Sequence, residues 1–270
     1  MALPALTALA EYFDLHIIGP KWTVDLYESL TTHLYAPNPA PVADTILLFK
    51  PSLASAWRAR GYKRAIGIGR GFRRFLLATA VPPTGHRVEQ YNALARQLGV
   101  SASTVPHFPV TTQSSVQLPS NSILFVVGTK SAETVRWRYF SELAKGISRP
   151  YCFLGGPGDE AIVDQLSLMH PTLPTTLSLQ QVAAIAQQAD VLVGIDSGLS
   201  HLAVAARNSM FVCASKNIIV YGSTSPHHTG PQNSTSVYDA RPSCWPCYKK
   251  RCSIGTPCVS TPVELVQELL

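Results

Sequence analysis

The residues best placed to do chemistry lie in VLVGIDSGLSHLAVAA, at 191–206. An apolar run ends at Ile195, a polar turn follows at Asp196, Ser197 and Gly198, and a small-residue helical pattern follows the turn. The first N–H groups of a helix have no partner inside it, so this arrangement can hold an anion such as phosphate. Gly198 lets a ligand approach the backbone, and His201 lies one turn further on. The same residues also suit an ordinary capped helix, since Asp and Ser are common caps.

Three further loops follow apolar runs. In LGGPGDEAIVDQL, Asp159 and Glu160 come after three glycines, placed to meet ribose hydroxyls or simply to stabilise a helix start. In VVGTKSAETVRWRYF, Thr129, Lys130 and Arg136 could reach phosphates. YGSTSPHHTGP carries two adjacent histidines whose plain reading is polar loop. CWPCYKKRCSIGTPC groups four cysteines, 244, 247, 252 and 258. A CxxC pair with two more cysteines has the residue types of a zinc site, but the second pair is spaced by five rather than two. A packed thiol or disulfide cluster is the competing reading. GIGRG at 67–71 has its third glycine at the wrong spacing for a dinucleotide fingerprint, and a basic strand rather than a helix is expected after it. No Walker A, GxSxG or HExxH pattern occurs.

The elements that must position these residues show a βαβ rhythm. Strands are expected at 15–19, 45–49, 64–68 and 75–79, with helices at 2–12, 22–31, 53–60 and 88–98. Residues 101–122 carry no charge, are rich in Ser, Thr and Pro, and read as a linker. The rhythm then resumes with strands at 123–128, 151–156 and 191–195, further strands at 211–215 and 218–221, and helices at 138–147, 159–169, 178–188 and 198–207. A last helix at 262–270 opens at Thr261 and Pro262. This is an α/β protein with parallel sheets.

The 270 residues suit two domains. With 46% hydrophobic and 14% charged residues the chain is not disordered, and no apolar run is long enough to span a bilayer. The opening residues lack a basic region and a cleavage site, so a cytoplasmic location is expected. The net charge is +6, and seven basic residues with no intervening acid lie between Arg58 and Arg74. That cluster attracts phosphate-bearing partners. Nucleic acid is not expected, because no recognition module is visible.

Taken together, IDSGLSHLA, YGSTSPHHTGP and the CWPCYKKRC tail with its TPVELV helix resemble glycosyltransferase family 9, the bacterial lipopolysaccharide heptosyltransferases. LPAL (3–6), KPSLASA (50–56) and HRVEQY (86–91) match weaker segments. The resemblance implies two Rossmann-like domains of the glycosyltransferase-B type facing across a cleft. These are an acceptor-side domain at 1–110 and a donor-side domain at 120–270, with the last helix packing back on the first domain. It implies an inverting, metal-independent and cofactor-free transfer from ADP-heptose to the phosphorylated inner core of lipopolysaccharide, with peripheral contact at the inner membrane. Asp196, Ser197, Gly198 and Leu199 would form the turn on the donor, beside His201. Thr129, Lys130 and Arg136 would face phosphate, and Asp159 or Glu160 the ribose. Lys50, Arg70, Arg73 and Arg74 would meet the acceptor. Family members often carry Lys where this chain has Val135, which leaves another nucleotide-sugar open as donor. In the family a Gly-Asp turn, holding the proposed general base, precedes the LPAL helix. Here that places the base upstream of Met1 and leaves the first sheet one strand short. A misassigned start or a donor-binding remnant would account for it.

Overall fold

Every strand pairing among the described residues is parallel. The computed structural model describes residues 1–31, 33–35, 42–114, 116–129, 133–210 and 216–270. Lys130 and the strand expected at 211–215 therefore lie outside the described residues. The chain divides into two units, Met1–Pro106 and His107–Leu270.

In the first unit the order is α1 (Leu3–Ala10), β1 (His16–Ile18), α2 (Thr23–Tyr27), β2 (His33–Tyr35), β3 (Thr45–Leu48), α3 (Leu53–Arg58), β4 (Arg64–Ile68), β5 (Thr79–Val81) and α4 (Arg87–Arg96). β3, β4 and β5 form a three-stranded sheet, while β1 and β2 form a separate pair. Leu94 of α4 packs on Ile66, Ile68 and Val81, and Ala5 and Leu9 of α1 pack on Ala95 and Val100.

The strand expected at 75–79 is replaced by a 3-10 turn, Gly71–Leu76, with β5 beginning later. The cause is Arg73. Its side chain is buried and donates to the backbone oxygens of Lys50, Ser52 and Ile68. Drawing that guanidinium inward winds the backbone up and turns Phe72 and Phe75 outward, 85% and 69% exposed. A strand in that stretch would have buried alternate residues instead.

The second unit runs β6 (Ile123–Val126), α5 (Phe140–Lys145), β7 (Tyr151–Leu154), α6 (Glu160–Ser167), α7 (Leu179–Gln188), β8 (Val191–Ile195), α8 (Gly198–Asn208), β9 (Lys216–Tyr221), α9 (Pro226–Thr229), β10 (Thr235–Tyr238) and α10 (Val263–Gln267). The sheet order is β10-β9-β8-β6-β7. Its central strands are apolar throughout because helices cover both faces. Phe125, Phe153, Val193, Ile195, Ile218 and Val220 are all buried in one cluster with Trp137 and Phe140. Removing a ring such as Phe125 from a core like this costs about 3–5 kcal/mol. Val266 of α10 is buried in that same cluster, and α10 lies against α5, so the last helix contributes to the core of its own unit.

The segment read as a linker belongs to the second unit from His107 on. Phe108 is fully buried and donates its N–H to the Ala205 carbonyl. Gln180 and Gln188 of α7 act as surrogate strands. Their side-chain oxygens accept from Thr111 and Leu118 N–H, and their amides donate to the Pro109 and Val116 carbonyls. A polar, uncharged sequence can thus be held in place with no regular structure of its own.

Candidate functional site at the switch point of the second sheet

The sheet order reverses between β6 and β8, because β7 lies on one side of β6 and β8 to β10 lie on the other. The loops leaving β6 and β8 at their carboxyl ends therefore diverge, which opens the crevice where such sheets bind ligands. The loops picked out by residue type are those two, together with the neighbouring exits of β7 and β9.

At the exit of β8, Ser197 caps α8. Its Oγ accepts from Ser200 N–H, and the two hydroxyls lie 3.3 Å apart. Gly194 makes this turn tight, since a Cβ there would lie 2.4 Å from Ser200 Oγ. Gly198 is the opposite case. It is exposed, and a Cβ added there would meet nothing within 4 Å, so its N–H can be approached from outside. Gly198 and Leu199 N–H belong to the first turn, which has no acceptor within the helix.

Asp196 is held by two side chains. His201 Nε2 lies 2.9 Å from its Oδ1, and Thr229 Oγ1 donates to its Oδ2 at 3.1 Å. Burial alone would raise this carboxyl, but the His201 ring and the Thr224 and Thr229 hydroxyls outweigh it, and the group titrates below the ordinary Asp value. Burial and the Asp196 charge together push the Tyr221 phenol up, so it stays neutral. Thr229 was not singled out by the sequence. It sits in YGSTSPHHTGP, where the histidines draw the eye, yet Thr229 is what α9 delivers to Asp196. His228 instead packs against Tyr248, with ring centroids 6.0 Å apart.

The exit of β7 works differently. Asp159 is 4% exposed and accepts from Thr129 N–H and Gly156 N–H, both at 3.0 Å, with Arg136 at 3.3 Å. Its carboxylate fills the space that a side chain on Gly128 would need, 2.4 Å from an ideal Cβ. Asp159 thereby ties the β6 loop to the β7 loop, and its oxygens face inward. Glu160 is exposed and takes Gly158 N–H on both oxygens, at 2.9 and 3.0 Å. Those backbone N–H groups hold its carboxyl below the ordinary value. Gly156 brings this turn to α8, because a Cβ on it would lie 3.0 Å from Leu199 Cδ1. The structure thus gathers Thr129, Arg136, Asp159, Asp196, Ser197, Leu199 and His201 around three adjoining strand ends. Val135 is buried, and Gly222 approaches its backbone so closely that a Cβ there would lie 3.0 Å from Val135 Cα, a setting that suits an apolar residue.

The four-cysteine segment braces the same loops. Trp245 Nε1 donates to the Gly222 carbonyl, Tyr248 N–H to the Ser223 carbonyl, and Thr134 Oγ1 to the Lys249 carbonyl. The described cysteines are unbridged. Cys252 Sγ accepts from Ile254 and Thr256 N–H, which lowers its thiol below the ordinary value.

The basic stretch of the first unit is less uniform than its sequence. Arg73 is engaged with three carbonyls, as described above, and its guanidinium does not face solvent; burial lowers its pKa. Lys63 pairs with Asp44 at 2.8 Å, and Arg60 lies over the Trp57 ring. Lys50, Arg70 and Arg74 remain exposed, Arg74 against the face of Phe75.

The comparisons decide the family. A model of glycosyltransferase family 9 (heptosyltransferase) matches residues 40–256. The chain belongs to glycosyltransferase family 9. It is a transferase with the family's α/β fold of parallel sheets. Among solved structures, Escherichia coli ADP-heptose lipopolysaccharide heptosyltransferase II is similar at TM-score 0.69 and 19% identity, over 99% of this chain and 93% of that one. Escherichia coli heptosyltransferase WaaC with ADP gives 0.67 and 19% over the same shares. A family 9 glycosyltransferase of Veillonella parvula gives 0.66 and 16% over 87% and 80%. No curated protein matches by sequence. For this family member, no helix among the described residues is long and apolar enough to cross a membrane.

Proposed function

We propose that this family 9 enzyme transfers heptose from ADP-heptose to a phosphorylated sugar of the lipopolysaccharide inner core, with inversion at the anomeric carbon. The observation that carries the reading is the Asp196–His201–Thr229 cluster beneath the open first turn of α8, at the switch point of the sheet. In this reading Gly198 and Leu199 N–H receive the diphosphate, aided by Arg136 and by Lys130. Donors preorganised around the departing diphosphate stabilise the charge that develops as the glycosidic bond breaks. Asp196, ionised and accepting only, suits sugar hydroxyls, and His201 holds its orientation. Glu160, the exposed acid, is the better partner for the ribose; Asp159 supports Thr129 and Arg136 from behind. The neighbours solved with ADP and with an ADP-heptose analogue support an adenine nucleotide donor. Lys50, Arg70 and Arg74 supply charge for acceptor phosphates, while Arg73 supports the backbone that carries them. A lipid-anchored acceptor would bring the protein to the cytoplasmic face of the inner membrane. Titration with ADP, UDP and GDP tests the donor. Binding of ADP that falls at least tenfold in His201→Ala supports it, and preference for UDP or GDP sinks the heptose reading in favour of another nucleotide-sugar.

A further inference from the structure

The first unit carries an exposed apolar face interleaved with cations. Leu53 and Trp57 of α3 are 58% and 60% exposed, and Phe72 and Phe75 point outward from the 3-10 turn at Gly71–Leu76. Positions 53 and 57 lie one helical turn apart and share the outer side of α3, while Ala56 and Ala59 pack inward with Leu76 and Leu77. Arg73 joins the two elements, because its guanidinium reaches from the 3-10 turn to the Lys50 and Ser52 carbonyls at the start of α3. The Phe72 and Phe75 rings lie 6.4 Å apart. The same segments expose Arg58, Arg60, Arg70 and Arg74, and no Asp or Glu occurs between Asp44 and Glu89. Two of these cations lie over the rings, Arg60 at 4.4 Å from the Trp57 centroid and Arg74 at 4.7 Å from that of Phe75.

Large apolar side chains left in water on adjoining elements mark a contact surface. The mixture found here fits an anionic bilayer. Aromatic rings settle at the level of the lipid headgroups, and Arg side chains lay their stems along apolar surface while their heads meet phosphate. Each cation close to an anionic leaflet strengthens binding about fivefold. A single-stranded nucleic acid also seeks rings and cations, but it stacks its bases on open ring faces. Guanidiniums already cover a face of Trp57 and a face of Phe75, and Leu53 has no ring to offer. We infer that the outer side of α3 and the adjoining 3-10 turn dock this protein on a membrane surface rich in anionic phospholipid. The docking face does not depend on the donor reading above, and a lipid-anchored acceptor would give it a use.

The test sediments the full chain with vesicles of phosphatidylcholine mixed with phosphatidylglycerol, and with vesicles of phosphatidylcholine alone. Binding to the mixed vesicles should be about tenfold tighter or more, and added salt should weaken it. A variant combining Trp57→Ala, Phe72→Ala and Phe75→Ala should bind mixed vesicles about tenfold more weakly or worse, with native circular dichroism and unchanged ADP affinity. Arg58→Glu combined with Arg60→Glu should lose a similar factor. In Phe72→Trp, mixed vesicles should shift the indole emission to the blue relative to wild type. No sedimentation with mixed vesicles, or sedimentation undiminished in the triple variant, would overturn the docking face. So would tighter binding to a single-stranded oligonucleotide, or a concentration-dependent dimer, that the triple variant abolishes. Loss of ADP binding with vesicle binding intact would count against the donor reading and leave the docking face standing.

Discussion

Two strand exits of the second sheet each carry an aspartate at a helix start, Asp159 at the N-cap of α6 and Asp196 one residue before the N-cap of α8, and the two acids are held by different kinds of donor. Asp159 after β7 is surrounded by donors that belong to the fold: Thr129 and Gly156 N–H and the Arg136 guanidinium. Asp196 after β8 is held by two side chains, His201 and Thr229, at the mouth of the turn. An acid satisfied by backbone N–H groups holds loops together. An acid satisfied by side chains, with an open glycine beside it, is the one we propose meets a ligand. Residue type and position along the strand do not separate the two; the identity of the donors does.

The sharpest test of this contrast is Asp159→Ala. It leaves two buried N–H groups and a guanidinium without their acceptor, a loss of about 3–5 kcal/mol, read as a lower denaturation midpoint in urea. A variant that unfolds like wild type would break the comparison. Next in size is Asp196→Ala, which should weaken ADP-sugar binding by about 10–100-fold, or 1.4–2.8 kcal/mol. It should lower the melting temperature by less than half the drop caused by Asp159→Ala. The reverse ordering of the two variants would exchange their roles.

Acid titration reads the same contrast more finely. The folded Asp196 carboxyl titrates below its unfolded value, near 3.9, so its contribution to stability is full above that pH and is lost as pH falls through the folded value. The urea midpoint of wild type should therefore decline more steeply below about pH 4 than that of Asp196→Asn. Parallel curves would show that the acid adds nothing. The smallest effect expected is that of Glu160→Gln. Stability should stay within about 0.5 kcal/mol, as for other exposed positions, with ADP affinity lowered only a few-fold. A loss matching that of Asp196→Ala would place the main carboxylate contact on Glu160.

Much of this was legible in the sequence. The apolar runs at 123–128, 151–156 and 191–195 mark the strands whose exits hold the crevice, and Gly198 marks where the backbone can be approached. What escaped reading depended on partners far along the chain. Thr229 earns its place only because α9 returns to β8, 33 residues away from Asp196 in sequence. Arg73 looks like one cation among seven, and only the carbonyls of residues 50, 52 and 68 show that it is internal. Arg207 gave no signal at all. It is buried, donates to Asn217 Oδ1 and to carbonyls of residues 186, 189 and 190, and burial brings its pKa down to about 10. The β1–β2 pair was half visible, as one strand without its partner. The short β10 and α9 carry too few residues for periodicity to register.

The strand order has a consequence for how the crevice comes into being. β6 pairs first with β7, its near neighbour in the chain, but its other edge must wait for β8, and the bonds joining Ser122 to Asp190 close a loop of 68 residues. Pairings this distant are slow to form because loop closure precedes any contact that rewards it. During synthesis β6 and β7 can associate while α8 and its turn are still being made, leaving one edge of β6 uncovered in the interval. The crevice at the switch point would then be among the last parts of the molecule to assemble, and chaperone dependence would show first as an unformed crevice in a chain whose early strands already resist protease.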